Sequence, residues 1–580
     1  MATKTVLAQI KRTLCEGHAR YLCRSLSARA QHMRCISSNV VKRHHRCIST
    51  TLTTTIGKEP HIVTSPHPPV DIPDLPFAEF VMSKYSEFGD LKAVMDATSG
   101  RTLTFRELKE SVFRLGSGLA RLGVRKGDMV LIFSTNCPEY LITMVACSAV
   151  GVVLTTSNPG YTTSELQRQL EHSKSSTVIV LSDFITTVEQ AVNSSEILQH
   201  SVKNIIVIGQ AYGYRSLATL LEDDGKAFPE NVDISSNDVM LIPYSSGTTG
   251  LPKGVMLSHR NIIANTLQIN GTMRMEPGRD SLLGILPLFH IYGLVVSQIC
   301  STTQGAAYIT MPRFIAHDFL TATKHNQITY LHLVPPLVLY LAKDPIVTDY
   351  ISSVHTIISG AAPLGKDLCE QLRDRTSASL RQAYGLTETS PVICIDHAPA
   401  KLGTVGPLVP NTEAKVVDVA NGDDLCRGET GEILTRGPQV MLGYLDNQQA
   451  TDDMIKNTWL HTGDIGHFDE DGRLTVTDRM KELIKYKGFQ VPPAELESLL
   501  LAHPGVKDAA VMGIPDEEAG ELPKAFVVLQ PGQTLSPQDI MEFVKENATS
   551  YKQLRGGVTM VDSIPKTPSG KILRRQLKDM

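Results

Sequence analysis

A run of serine, threonine and glycine ending in a lysine, Tyr244-Ser-Ser-Gly-Thr-Thr-Gly-Leu-Pro-Lys-Gly-Val-Met-Leu-Ser-His259, follows the apolar segment Val239 to Ile242. Gly247, Gly250 and Gly254 let backbone approach an anion, Ser245, Ser246, Thr248 and Thr249 offer hydroxyl donors, and Lys253 brings positive charge. Those are the parts of a polyphosphate cradle. The run departs from the usual P-loop, because a proline precedes the lysine and a glycine, not Ser or Thr, follows it. Composition of this kind is also common in surface loops, so its meaning depends on the rest of the chain.

With 580 residues the chain exceeds what one hydrophobic core organises, so more than one domain is expected. Its 42% hydrophobic and 20% charged residues and net charge of −4 describe an ordinary globular protein and give no sign of a nucleic-acid partner. The charge is uneven, however. Lys4, Lys11, Arg12, Arg20, Arg24, Arg29, Arg34, Lys42, Arg43, Arg46 and Lys58 face the single acid Glu16 in a Ser-rich stretch with Val6, Ile10 and Leu14 at helical spacing. That is the pattern of a mitochondrial transit peptide over 1–57, with Arg46-Cys-Ile-Ser49 or Arg34-Cys-Ile-Ser37 as processing sites and the matrix as destination. Removing these eleven bases and one acid from −4 leaves about −14. The six cysteines beyond this leader show no Cys-x-x-Cys spacing, so neither a zinc site nor a disulfide framework is indicated. The stretch Leu282 to Cys300 is apolar but interrupted by Pro287, His290 and Tyr292; it reads as a buried strand and loop, and no membrane span is expected.

Strand and helix patterns alternate from Arg101 onward. Thr104-Phe-Arg-Glu107 and Thr162-Thr-Ser-Glu165 are capping boxes, each opening a helix, and the apolar runs 129–133, 177–181 and 204–208 read as strands. The fold class is α/β: a large N-terminal domain of parallel-rich sheets flanked by helices, over 58–477. The remainder, 478–580, reads as a small, mobile α+β C-terminal domain hinged at Asp478, with helices over 494–501 and after Ser536-Pro537. No segment specifies an oligomeric state.

Further segments line up behind the first: Pro287-Leu-Phe-His-Ile-Tyr-Gly293, Ser359-Gly-Ala-Ala-Pro-Leu-Gly365, Gln382-Ala-Tyr-Gly-Leu-Thr-Glu-Thr389, Trp459-Leu-His-Thr-Gly-Asp464, Asp478-Arg479 and Pro568-Ser-Gly-Lys571. In this order the set resembles the adenylate-forming superfamily of acyl-CoA synthetases and beetle luciferases, most closely the 4-coumarate-CoA ligase-like branch, from about Thr104 to the C-terminus. The resemblance implies an acid-CoA ligase. It would use ATP and Mg²⁺ to make an acyl-AMP with release of pyrophosphate, and then pass the acyl group to coenzyme A.

On that resemblance Lys571 serves adenylation, while Lys253 meets the departing pyrophosphate. Glu388 would hold Mg²⁺, Thr387 would sit by the α-phosphate, Asp464 would accept from the ribose hydroxyls, and Arg479 and Lys481 would add positive charge. Gln382, Ala383, Tyr384 and Gly385 would line the nucleotide, with Tyr384 stacking on adenine. His290 would border the acyl pocket formed with Tyr292, Ala361, Gln382, Ala383 and Ile395; Ala383 stands where the family more often has glycine. After rotation about Asp478, Lys485, Lys487 and Gly488 would face coenzyme A, and Arg313 would meet one of its phosphates. The substrate expected is a medium-chain fatty acid or an aryl-propenoic acid. A luciferase-like oxygenase is the competing function, against which count the terminal Lys-Asp-Met, unlike a peroxisomal Ser-Lys-Leu, and the leader. A non-catalytic nucleotide-binding scaffold would have lost charged site residues, and here all are present.

Overall fold

The capping signals locate helices well. In the computed structural model Thr104 and Glu107 form a reciprocal capping box for the helix Phe105–Arg121, as do Thr162 and Glu165 for Thr163–Ser173. Ser536 and Asp539 do the same for Pro537–Asn547. Each box satisfies two backbone donors that the first turn leaves without partners. The structure describes residues 62–580 apart from 231, 246–251, 345–346, 398–399, 488, 568–569 and 579. Residues 1–57, expected to be a transit peptide, and the two candidate processing sites therefore lie outside the described residues.

Two eight-stranded sheets form the large domain. In the first, Val239–Ser245, Val153–Ser157, Met129–Phe133, Thr177–Leu181, Asn204–Ile208 and Arg215–Ser216 run parallel. Lys253–Ser258 and Gly443–Tyr444 then extend its other side antiparallel. In the second, Ser379–Gly385, Thr356–Ser359, Tyr330–Leu333, Ser281–Gly284, Ala307–Thr310 and Lys92–Asp96 run parallel, with Val392–Ile395 and Thr102–Thr104 antiparallel at the two edges. Side chains from both sheets and the helices on them, among them Phe105, Tyr140, Leu154, Leu257, Tyr308 and Ile358, share one core. Parallel strands covered on both faces read as continuous apolar runs, and the six residues Val239 to Tyr244 show that pattern up to the phosphate loop.

A third, antiparallel sheet pairs Glu413–Val417, Gly431–Arg436, Trp459–Phe468 and Leu474–Arg479, with Val63–Thr64 and Ile455–Lys456 at its margins. Asp478 is the penultimate residue of Leu474–Arg479, opposite Ile465. Beyond it lies a separate α+β unit. Its sheet contains Phe489–Val491, Ile484–Tyr486, Gly520–Leu529, Val506–Asp516 and Val558–Met560, and the helices Pro493–Ala502 and Pro537–Asn547 close a core of Leu496, Leu500, Val511, Val527, Ile540 and Val544.

One expectation is corrected. The stretch 282–300 opens as the expected strand, Ser281–Gly284, and passes through the irregular residues 285–290, but its second half is a helix: Tyr292–Ile299 winds as a π-helix and continues through Cys300–Thr302. An apolar segment buried on every side carries no periodicity that separates helix from strand or loop. Gly293 is required here, since a Cβ would collide with the Pro287 carbonyl oxygen. Among the described residues no helix is long and apolar enough to cross a membrane.

Candidate active site

The phosphate-loop segment joins two antiparallel strands, and register sets Lys253 directly across from Ser245. Ser246, Gly247, Thr248, Thr249 and Gly250 lie outside the described residues. Next to this hairpin Glu388 sits in a short 3-10 turn, Thr387–Thr389, only 7% exposed. Its Oε1 accepts from Ser245 Oγ at 3.0 Å and from Tyr444 OH at 2.7 Å. Its carbonyl accepts from Met441 N at 2.9 Å. Lys253 Nζ stands 4.9 Å from the centre of the Tyr444 ring. Tyr444 thus holds the carboxylate with its hydroxyl and the lysine with its ring face. The sequence reading missed this residue, because a lone Gly-Tyr pair has no spacing to mark it.

A second carboxylate lies on the third sheet. Asp464, 3% exposed, accepts from Tyr384 OH at 2.7 Å on Oδ2 and pairs with Arg479 Nε at 3.2 Å on Oδ1. Asp464 and Arg479 are cross-strand partners, so the pair is built into the sheet. Burial raises the Asp464 carboxyl above the usual range, while Arg479, Tyr384 and Lys571 pull it back. Tyr384, expected to stack on adenine, has its hydroxyl committed to Asp464. Asp464 keeps lone pairs for further donors, since each carboxylate oxygen has two.

Lys571 is within electrostatic reach of Asp464, Arg479 and Glu482, and burial, followed by Arg479, holds its ammonium below the usual lysine range. It rides on a turn in which Thr567 Oγ1 accepts from Lys571 N at 3.0 Å and the Thr567 carbonyl accepts from Gly570 N at 2.8 Å. Gly570, at φ +81°, packs on the Val334 side chain. The small domain is therefore seated with Lys571 beside Asp464 and Arg479. Two further contacts seat it: Lys343 Nζ donates to the Val506 carbonyl at 3.3 Å, and Gly365 packs so tightly on Ser498 that a Cβ would collide with Ser498 Oγ. Asp478 Oδ2 accepts from Ala494 N at 2.9 Å, tying the end of the large domain to the first turn of the helix Pro493–Ala502.

Behind Lys571 lies a charged cluster that the sequence did not reveal. Arg574 bonds Glu497 Oε1 at 2.7 Å, Glu482 Oε2 at 3.1 Å and the Val511 carbonyl at 3.2 Å. Burial pushes the Glu497 carboxyl up to about 7 and that of Asp478 up to about 6. The partners come from segments far apart in sequence, so no local pattern announces them.

The residues expected to border the acyl group lie on or next to the second sheet and the π-helix. Tyr292 donates from its hydroxyl to the Ile358 carbonyl at 3.1 Å, and its ring lies beside Gly360. Ala361 follows at φ +71°, and Ala383 pairs with Ile395 across neighbouring strands. Gln382 Nε2 donates to the Thr404 carbonyl at 3.2 Å, one strand position before Ala383. His290 Nδ1 accepts from Tyr292 N at 3.3 Å, and burial lowers its imidazole to about 4, so the ring is neutral at physiological pH. Between these elements and the Lys571 loop is a cavity of about 460 Å³ whose lining includes Asn136, Phe289, Arg313, Val334, Lys566 and Gly570.

Other expected residues stand apart from this assembly. Lys481 and Lys485 are exposed, and Lys487 pairs with Glu518 at 2.7 Å. Gly488 lies outside the described residues. No group of three or more His, Cys, Asp or Glu able to hold a metal occurs among the described residues.

Comparison with known proteins agrees with this geometry. Residues 83–445 match the family model of the AMP-binding enzymes and 495–571 that of the AMP-binding enzyme C-terminal domain. The chain is 41% identical over 533 residues to 4-coumarate–CoA ligase 3 of Arabidopsis thaliana, covering 90% of this chain and 94% of that one. Among solved structures, ATP-bound MatB from Rhodopseudomonas palustris is 27% identical with a TM-score of 0.79, covering 87% of this chain and 98% of its own. The o-succinylbenzoate CoA synthetase MenE of Bacillus subtilis, in complex with its acyl-adenylate intermediate, is 29% identical with a TM-score of 0.74, covering 88% and 99%. The chain belongs to the AMP-binding, adenylate-forming enzyme family, close to the 4-coumarate-CoA ligases, and is an AMP-forming acid-CoA ligase that uses ATP and coenzyme A.

Proposed function

We propose that the enzyme activates an aryl-propenoic acid, and that its basic leader directs it to the mitochondrial matrix. The observation that carries the substrate reading is the 41% identity, over nearly the whole chain, to an enzyme named for 4-coumarate. A medium-chain fatty acid is the competing substrate, favoured by mitochondrial delivery. A luciferase-like oxygenase is not favoured by these relatives.

In this reading Lys253 meets the pyrophosphate end of ATP and Lys571 the oxygens at the reacting phosphorus. Positive charge fixed in a water-poor site stabilises the charge that develops as one anion attacks another. Glu388 fits a Mg²⁺ ion: its two side-chain hydrogen bonds converge on Oε1, and a single carboxylate with phosphate oxygens is a usual magnesium set. Mg²⁺ bound there would neutralise phosphate charge. Thr387 stands beside the α-phosphate, and Asp464 takes the ribose hydroxyls while Tyr384 and Arg479 hold it in place. Neutral His290 closes the acyl side over the carboxylate. Rotation about Asp478 then withdraws Lys571 and brings Lys481, Lys485, Lys487 and Gly488 toward coenzyme A, with Arg313 meeting one of its phosphates.

The test is purified enzyme with ATP, Mg²⁺, coenzyme A and a panel of aryl-propenoic and fatty acids. AMP and an aryl-propenoyl thioester are expected; thioester from fatty acids alone would shift the substrate class. Import of a reporter carrying residues 1–57 into isolated mitochondria tests the address, and a cytosolic reporter would refute it.

A further inference from the structure

Lys571 is carried on a hairpin. Thr567 N donates to the Lys571 carbonyl at 2.8 Å, Lys566 bridges Ile572, and Leu573 N donates to the Pro565 carbonyl at 2.9 Å. Both sides of its base are fastened to one strand, Val506–Asp516. On one side Lys566 Nζ meets the two Asp508 oxygens at 2.8 and 2.7 Å. On the other Arg574, 17% exposed, donates to the Val511 carbonyl, and the Glu497 Oε1 that takes its guanidinium also accepts from Val511 N at 2.8 Å. Ile564 and Ile572 pack with Ala510 and Met512 of the same strand. Arg574 reaches Glu482 as well, whose amide donates to the Arg479 carbonyl at 2.9 Å just past Asp478. One guanidinium thus ties the hairpin to the strand, to the helix Pro493–Ala502 and to the segment that follows Asp478.

Stability alone does not account for this arrangement. Taking two carboxylates and a guanidinium out of water costs about as much as their attraction returns, and apolar packing holds a fold as well. What bonds from one planar guanidinium add is direction, because its donors keep a fixed fork. All the partners named lie beyond Asp478, on the small domain, so none of them depends on where that domain sits.

We propose that Arg574, with Lys566 as its counterpart across the hairpin, is a positioning residue that aims Lys571 at the reacting phosphorus, and so serves adenylation and not thioester formation. This rests on the assignment of Lys571 to adenylation. The cluster also sets the field at Lys571. Burial is the largest influence on its ammonium; Arg479 and Arg574 disfavour the charge, while Glu482 and Asp464 favour it. Removing the Arg574 charge therefore lets the ammonium persist to higher pH, and neutralising Glu482 does the reverse.

The test measures the two half-reactions of the full-length enzyme separately, with the acid it uses best among the aryl-propenoic and fatty acids: acid-dependent ATP–pyrophosphate exchange, and thioester formation from supplied acyl-AMP and coenzyme A. Arg574→Gln should lower kcat of exchange about ten- to a hundredfold, the scale for a misplacement of about 1 Å, with KM for ATP and acid within about twofold of wild type and thioester formation near the wild-type rate. The alkaline limb of exchange should move to higher pH in Arg574→Gln and to lower pH in Glu482→Gln. Arg574→Lys should return the limb but not kcat, since a point charge cannot reproduce the fork. Lys566→Met leaves unpaired only a partly exposed Asp508, so it should lower exchange about tenfold with thioester formation intact, and it decides the matter if the Arg574 variants melt well below the wild type. Unchanged exchange, equal loss in both half-reactions of a variant that melts with the wild type, or an unmoved alkaline limb in Arg574→Gln overturns the role of Arg574. Full exchange in Lys571→Ala overturns the assignment of Lys571 and this inference with it.

Discussion

The carboxylates of the large domain and the lysine of the small domain are held in opposite ways. Glu388 is fixed by Ser245, Tyr444 and the Met441 amide, and Asp464 by Tyr384 and its cross-strand partner Arg479. These groups sit on or beside sheets. Among the described residues Lys571 is hydrogen-bonded only at its backbone, by a turn, and its charge lies within reach of Arg479 and of Asp464 on the third sheet. The groups assigned to the nucleotide are pinned by side-chain bonds, whereas the lysine assigned to the chemistry is tied through its backbone, as the proposed withdrawal requires. An enzyme that runs two reactions in one place needs that asymmetry, since a thiol must later reach the carbon that the first set of groups encloses.

Removing the Lys571 charge should have the largest effect. Lys571→Ala is expected to lower acid-dependent ATP–pyrophosphate exchange by about 10²–10³-fold, the scale for one preorganised stabilising group, while thioester formation from supplied acyl-AMP stays near the wild-type rate. Equal loss in both half-reactions would erase the proposed division of labour. Next comes the seating of the small domain. Gly365→Ala drives a methyl into Ser498 Oγ, and an overpacked contact of about 1–3 kcal/mol translates to roughly ten- to a hundredfold slower exchange. Gly365→Ala combined with Ser498→Ala should recover most of it; failure to recover would show that this contact does not seat the domain.

On the rigid side the expected change is smaller. Tyr444→Phe removes one hydrogen bond to Glu388 but keeps the ring under Lys253, so exchange should fall about tenfold with the magnesium dependence shifted to higher concentration. An unchanged magnesium curve would detach Tyr444 from the metal. The smallest effect is on stability. Glu497 has a folded-state pKa of about 7 against an ordinary 4.5, so the folded protein keeps a proton that the unfolded chain has lost. Stability should therefore decline as pH rises from about 4.5 to 7 and level off above, with Asp478 contributing below about 6. Glu497→Gln should flatten that decline in denaturation midpoints measured from pH 5 to 8; an identical slope would refute the assignment.

Much of this was legible in residue order. Capping boxes at Thr104, Thr162 and Ser536 marked helix starts because the signal is local, four residues long and tied to the geometry of the first turn. The helix Tyr292–Ile299 was not legible, because a segment buried all round shows no contrast between faces. The box at Ser258 escaped as well: its third position is Asn261, not the usual Glu or Gln.

The site divides along the same line. By itself the sequence determined the inventory: Lys253, Glu388, Asp464, Arg479 and Lys571 each lie in a short motif, and motif order survives translation into any fold. Tertiary structure alone decided the couplings. Tyr444 under Lys253 and on Glu388, Arg574 between Glu482 and Glu497, and Lys566 on Asp508 join side chains whose separation along the chain carries no information. Local patterns record what a residue does to its own turn or strand. Strand register and helix packing decide which distant residues meet, and there the chemistry of this ligase is tuned.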